Sequence, residues 1–173
     1  MKNVNTLKIV AAVALALGLG SAQAATMTIG GGLAVGSTVT ASCSAFTSTG
    51  GLAFGPYTNN QQANVDTTTT LSATCTSGTA YSMAIGAGSG YNMSTYGNWR
   101  SLTNGASHLG YAVYVNNPGN ALWGDGLNIP LGNVLSATGS GIAQSYTVAG
   151  RIPGGQAAIA GTYADNVTAT LTY

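Results

Sequence analysis

Residues able to do acid-base, nucleophilic or metal chemistry are scarce in this sequence of 173 residues. There are three acidic side chains, Asp66, Asp125 and Asp165, no glutamate, and one histidine, His108. General acid-base catalysis needs titratable groups within hydrogen-bond reach of a substrate, and so few offer little to pair. His108 with a serine and an aspartate can be drawn as a hydrolase triad, but no GxSxG elbow presents the serine. Asp125, in Trp123-Gly124-Asp125-Gly126, can be drawn in a sugar-binding loop with the indole as platform. Gly-Asp-Gly reads first as a turn, however, and the tryptophan as a packing residue. The run Gly86 to Gly90 lacks the lysine and the βαβ setting of a phosphate loop and reads as a hairpin turn. The sequons Asn92-Met93-Ser94 and Asn166-Val167-Thr168 carry no weight, the second lying inside an expected strand. The reading is therefore no enzyme, no cofactor and no metal.

Two cysteines, Cys43 and Cys75, complete the reactive set, and their chemistry depends on the compartment. Residues 1–24 read as a secretory signal peptide, with Lys2 and Lys8 as the positive start, Ile9 to Leu19 as the apolar run and Ala22-Gln23-Ala24 as the cleavage site. That apolar run is too short for the roughly 20 residues a bilayer demands. Export makes a Cys43–Cys75 disulfide the expectation. Closing a loop of about 33 residues is worth about 3.5 to 4 kcal/mol in the chain-entropy treatment. Zinc is a poor rival, since there is no CxxC and His108 has no ligand neighbour at zinc spacing.

Charge narrows the function further. Only 4% of residues are charged, 4 Lys plus Arg against 3 Asp plus Glu, where an average soluble domain has about 25%. No basic footprint for nucleic acid exists, nor a polybasic cluster for anionic lipid. With 45% hydrophobic residues the chain is expected to fold, and around few ionic contacts. Cleavage would remove both lysines and leave Arg100 and Arg151, which read as structural, each paired with an aspartate or with backbone carbonyls; Asp165 is the nearest acidic partner in sequence for Arg151.

The elements that must position these residues are strands. No stretch after Ala25 sustains a helical period, and Thr, Gly, Ser, Tyr and Val dominate. Expected strands are Ser37 to Cys43, Leu52 to Tyr57, Thr67 to Cys75, Tyr81 to Ile85, Leu109 to Val115, Ser145 to Ile152 and Asn166 to Tyr173, separated by turns such as Thr49-Gly50-Gly51 and Asn116-Asn117-Pro118-Gly119. About seven short strands and one cross-link predict an all-β, immunoglobulin-like sandwich in a single domain, with a barrel still open.

Two terminal segments alternate most clearly. In the last strand Val167, Ala169, Leu171 and Tyr173 share one face and Asn or Thr the other, the mark of a half-buried strand. It ends the sequence, so its free edge is expected to lack a following strand. At the mature N-terminus, residues 25–35, Met27, Ile29, Gly31, Leu33 and Val35 point one way. This segment is either the first strand of its own domain or, loosened by its glycines, a strand that orders only along another subunit's open edge.

The residues also resemble a known family, the spore coat protein U domain family, which includes the pilins of the archaic chaperone-usher pathway. The resemblance runs over the whole mature chain. It is carried by Cys43, Cys75-Thr76-Ser77-Gly78, Tyr81 to Ile85 and its glycine run, and Arg100-Ser101-Leu102. It continues through Leu109-Gly110-Tyr111-Ala112-Val113-Tyr114, Trp123-Gly124-Asp125-Gly126, Gly150-Arg151-Ile152-Pro153 and Ala160 to Val167. It implies an incomplete sandwich of six strands plus a donated seventh, with residues 36–173 as the pilin domain. A periplasmic chaperone would lend a strand, an outer-membrane usher would exchange it for the next subunit's N-terminal segment, and a tip adhesin would end the fibre. Met27, Ile29, Leu33 and Val35 would be donated, and Val39, Ala41, Val167, Ala169, Leu171 and Tyr173 would border the acceptor groove. Gly30-Gly31-Gly32 departs from an unbroken donor and leaves its register open.

Magnitudes agree with this mechanism. Burying four such side chains gives about 6 to 12 kcal/mol before ordering costs, comparable with the roughly 5 to 15 kcal/mol that holds a whole domain folded. The function expected is a secreted, polymerised fibre subunit serving adhesion and biofilm formation. The alternatives are a spore or cell-surface coat protein built by the same exchange, and a sugar-binding tip module.

Overall fold

The computed structural model describes residues 30–44, 46–90, 99–127 and 132–173. The expected signal peptide, and the donor residues Met27 and Ile29, lie outside them. The chain divides into two compact units, Met1–Ser37 and Thr38–Tyr173. In the first, residues 30–37 are exposed and belong to no strand.

The second unit is all-β. Its strands are β1 (Thr47–Ser48), β2 (Val65–Thr74), β3 (Ala80–Ile85), β4 (Arg100–Asn104), β5 (Ser107–Val115), β6 (Leu135–Thr138), β7 (Ala143–Ile152) and β8 (Ala169–Thr172). They form a five-stranded sheet of order β1-β2-β7-β5-β4 and a three-stranded sheet of order β6-β3-β8. Every strand pair is antiparallel. Two open sheets, each with its own edges, make this a sandwich rather than a barrel. Among the described residues five of the eight strands, β2, β3, β5, β7 and β8, lie where strands are expected, and β1, β4 and β6 are short additions.

Alternation drives the packing. Leu71 and Ala73 of β2, and Tyr81, Met83 and Ile85 of β3, are buried every second residue, as one-sided strands require. β5 is buried on both faces: Leu109, Tyr111 and Val113 join the main core, while Ala112 and Tyr114 pack with Ala149, Trp99 and Leu122. The β4–β5 hairpin turns on Gly105 and Ala106, with Gly105 at φ +59°, the first-position glycine of a type II′ turn.

The disulfide joins Cys43 to Cys75 where the two residues face each other across an antiparallel bridge. Flanking bonds run from Ser44 N to Thr74 O and from Thr76 N to Ser42 O, so the cysteines occupy a non-hydrogen-bonded pair, the closer of the two spacings. The strand expected over Ser37 to Cys43 reduces to this single bridge. Immediately past Cys75 the partner chain turns through Thr76–Gly78, with Gly78 at φ +83°, so residues 38–42 have no strand to pair with.

Candidate functional site: an open apolar groove

A groove made of two adjoining hollows of about 470 and 570 Å³ runs along this unit, the first between the two sheets and the second over β4, β5 and β7 of the five-stranded sheet. One rim is the segment from Phe46 to Tyr57, the other the segment from Ala158 to Ala169. The floor is the buried core, with Leu71, Ile85, Val113 and Val148 under the first hollow and Leu109 and Ile152 under the second. β1 is the end strand of one sheet and β8 of the other, so each presents an edge without a strand partner among the described residues.

The near rim is not the strand that Leu52 to Tyr57 suggested. Gly50 at φ +149° and Gly55 at φ +72° break extension. Leu52 and Phe54 nevertheless dip over β7, because Gly150 has no side chain there: a Cβ at that position would lie 2.7 Å from the Phe54 ring and 3.2 Å from Leu52. Phe54 also meets Tyr111 edge-on, with centroids 5.6 Å apart.

The far rim is pinned by side chains instead of a ladder. The Gln156 amide pairs with both backbone groups of Gly110, accepting from its N at 2.7 Å and donating to its O at 2.9 Å. Tyr57 Oη accepts from Gln156 N at 2.9 Å. Further along, Asp165 lines the groove. Its Oδ1 accepts from Ser89 N at 2.7 Å, Ser89 Oγ at 2.9 Å, Gly90 N at 3.2 Å and Asn166 N at 2.8 Å. Its Oδ2 accepts from the Tyr111 hydroxyl at 2.7 Å. Burial and this carboxylate push the Tyr111 phenol far up, so it stays a neutral donor. This node fixes the chain as it enters β8.

The expected site residues divide accordingly. Val167 and Ala169 line the groove, and Leu171 packs on the core beneath β8. Tyr173, 61% exposed, lies beside Ala80–Ser82 and Ser136–Thr138, away from the groove. Val39 is 80% exposed and Ala41 is exposed, and neither lines the groove; Phe46, Leu52 and Phe54 stand in their place. Leu33 and Val35 are each 87% exposed. Phe54, Leu102 and Asp165 line the groove without a signal in the sequence that marks them for it, and Gly150 lies beneath Phe54 with none either. The nearest hint is the hydrophobic alternation of Leu52 and Phe54.

Chemistry-bearing residues serve the fold. Arg100 is 1% exposed and donates through Nε to Gly86 O at 2.8 Å and through Nη2 to Ile85 O at 2.7 Å and Trp123 O at 3.0 Å. Arg151 pairs with Asp66, not with Asp165, at 2.7 Å through both Nε and Nη2, because β2 and β7 place the two directly opposite. Trp123 is fully buried and donates Nε1–H to Met83 O at 2.9 Å, so its indole cannot serve as a sugar platform. Asp125 caps its own turn by accepting from Leu127 N at 3.0 Å. Ser101 does reach His108 Nδ1 at 3.1 Å, yet Ser101 is wholly buried, with no access for a substrate.

Comparison with known proteins adds a family and a fold. No curated protein matches the sequence. Among solved structures, a chain of the CsuC–CsuE chaperone–tip adhesion subunit pre-assembly complex, from archaic chaperone-usher Csu pili of Acinetobacter baumannii, is similar in fold. It has a TM-score of 0.53 at 24% identity, over 79% of this chain and 40% of that one. This chain thus spans well under half the length of that neighbour. The Spore Coat Protein U domain model matches residues 29–170, from within the N-terminal segment through the first half of β8, and the chain belongs to that family.

Proposed function

We propose that this protein is a structural subunit of an extracellular pilus, polymerised by strand exchange, that serves adhesion and biofilm formation and carries out no catalysis. The observation that carries this reading is the open groove, with apolar walls beneath two sheet edges that have backbone groups to offer. An extended peptide laid there would pair its backbone with β8 and drop alternate side chains between the sheets. The occupant is the leading segment of the next copy, residues 25–35, inserting Met27, Ile29, Leu33 and Val35 into the two hollows, between the rim of Phe46, Leu52 and Tyr57 and that of Ala158, Val167 and Ala169. Such head-to-tail contact does not close on itself and grows a fibre.

Before assembly the same groove needs a temporary strand, which a periplasmic chaperone would lend and an outer-membrane usher replace, with a tip adhesin at the fibre's end. Family membership and the fold likeness to a chain of a chaperone–subunit complex support this route. The family's name also favours a second reading, a spore or cell-surface coat assembled by the same exchange. Electron microscopy of the secreted polymer separates thin fibres from a layer.

Gel electrophoresis with and without boiling tests the polymer itself: a ladder that collapses to monomer only on heating is expected. Deleting residues 25–35 is expected to leave chaperone-bound monomers and no ladder, and a persistent ladder would remove the donor role. Leu33→Asp is expected to weaken assembly, since a carboxylate would enter an apolar groove unpaired.

A further inference from the structure

The proposed donor carries its large side chains in two pairs, Met27 with Ile29 and Leu33 with Val35, parted by Gly31 at the one inward position without a side chain. The groove is divided in the same way. Leu52, Phe54 and Leu102 line both hollows and so stand between them. Phe54 cannot sink out of the way: it is braced edge-on by Tyr111, and the space under its ring is already taken up by its close approach to Gly150.

Building on the strand-exchange reading, we infer that Gly31 of one copy crosses this divide in the next, with Met27 and Ile29 in one hollow and Leu33 and Val35 in the other. Alternate residues of a strand stand about 6.6 Å apart on one face, so the two pairs are centred about 20 Å apart. In this register the donor crosses Phe54 at a residue with no side chain to accommodate. A shift of two residues either way drives Ile29 or Leu33 onto the ring and leaves one hollow a side chain short.

Among the described residues nothing in the donor's own copy asks for glycine at position 31. A Cβ at Gly30, Gly31 or Gly32 meets no atom within 4 Å, and none of the three has the positive φ that favours glycine. The requirement arises only on assembly, which makes substitutions there a test of the assembled state.

The experiment uses the full chain secreted with its natural leader, read as the fraction of heat-sensitive multimer on unboiled gels. Gly31→Leu is expected to lower that fraction about tenfold through overpacking at the divide. Gly30→Leu and Gly32→Leu, which face away, are expected to change it less than about twofold. Phe54→Ala combined with Gly31→Leu is expected to recover most of the loss. Leu102→Ala supplies the relief if Phe54→Ala subunits do not accumulate. Normal assembly by Gly31→Leu, equal losses at all three glycines, or no recovery with either relief substitution would overturn this register. Strand exchange itself is judged separately. It falls if the wild type gives only monomer, including monomer whose leading segment is protected from protease in its own groove, or if Leu33→Asp assembles normally.

Discussion

The β2–β7 seam and the groove rims bury similar kinds of residue and hold them in opposite ways. From Val65 opposite Ile152 to Thr74 opposite Ala143, β2 and β7 pair along all 10 residues of each strand. On the groove side, Leu52, Phe54, Ala158 and Tyr163 also pack against the core, but β8 is preceded there by a single bridge, Thr103 to Ala164. Side-chain burial and backbone pairing are separable, and the groove side has the first with little of the second. A strand added at that place would supply the missing ladder at about 0.5 to 1.5 kcal/mol per hydrogen bond.

Breaking the buried carbonyl clamp is expected to have the largest effect. Arg100→Leu keeps bulk and removes the donors to Ile85, Gly86 and Trp123, all at 3.0 Å or less. Carbonyls left without donors in the interior cost about 1 to 3 kcal/mol each, so a loss of about 3 kcal/mol or more is expected in urea unfolding, with little soluble subunit. A loss under about 0.5 kcal/mol would mean that water satisfies those carbonyls and that the clamp does not hold the edge of β3.

The cross-link comes next. Cys43→Ser with Cys75→Ser is expected to cost about 2 to 4 kcal/mol. Because the bridge anchors the chain just before the near rim, the loss should also raise protease cleavage in residues 46–57 before it affects the β2–β7 seam. Equal cleavage in both regions would contradict the contrast drawn between them.

What the residues disclosed follows the same line. β2, β3, β5 and β7 pair on both sides and are long enough to carry a pattern, the one-sided alternation of β2 and β3 or the continuous apolar run of β5, and their expected positions lie within a few residues of those observed. β4 was invisible because its first residue is a buried arginine, a type that pattern reading sends to the surface. β6 is only Leu-Ser-Ala-Thr, too short to show a period. The site was half legible: β8 announced Val167 and Ala169, but Val39 and Ala41 sat in a segment whose partner chain turns away after Cys75. No local pattern could reveal that Gly150 makes space for Phe54, since that contact joins residues far apart in sequence.

Filling that space sharpens the comparison from the groove side. Gly150→Val puts methyls where the Phe54 ring lies, 2.7 Å from the position of a Cβ. An overpacking cost of about 1 to 3 kcal/mol is expected, together with loss of the Phe54–Tyr111 contact, read as a change in near-ultraviolet circular dichroism. An unchanged aromatic signal would show that the near rim does not rest on β7.

The smallest effect belongs to the seam's ion pair. Arg151 beside Asp66 holds that carboxyl below its ordinary value of 3.8, chiefly through the side-chain hydrogen bond. A depressed folded pKa adds stability that is present above the unfolded value and is lost as pH falls through the folded one. The side chains are 27% and 42% exposed, so solvent screening limits the pair to about 0.5 kcal/mol even in bidentate geometry. Asp66→Asn is therefore expected to cost about that much at pH 6 and nothing at pH 2, by urea unfolding at both. A gap between wild type and variant that persists unchanged at pH 2 would assign the effect to the neutral hydrogen bonds of asparagine rather than to charge. The seam would then be held by its ladder alone, the one feature that the groove rims lack.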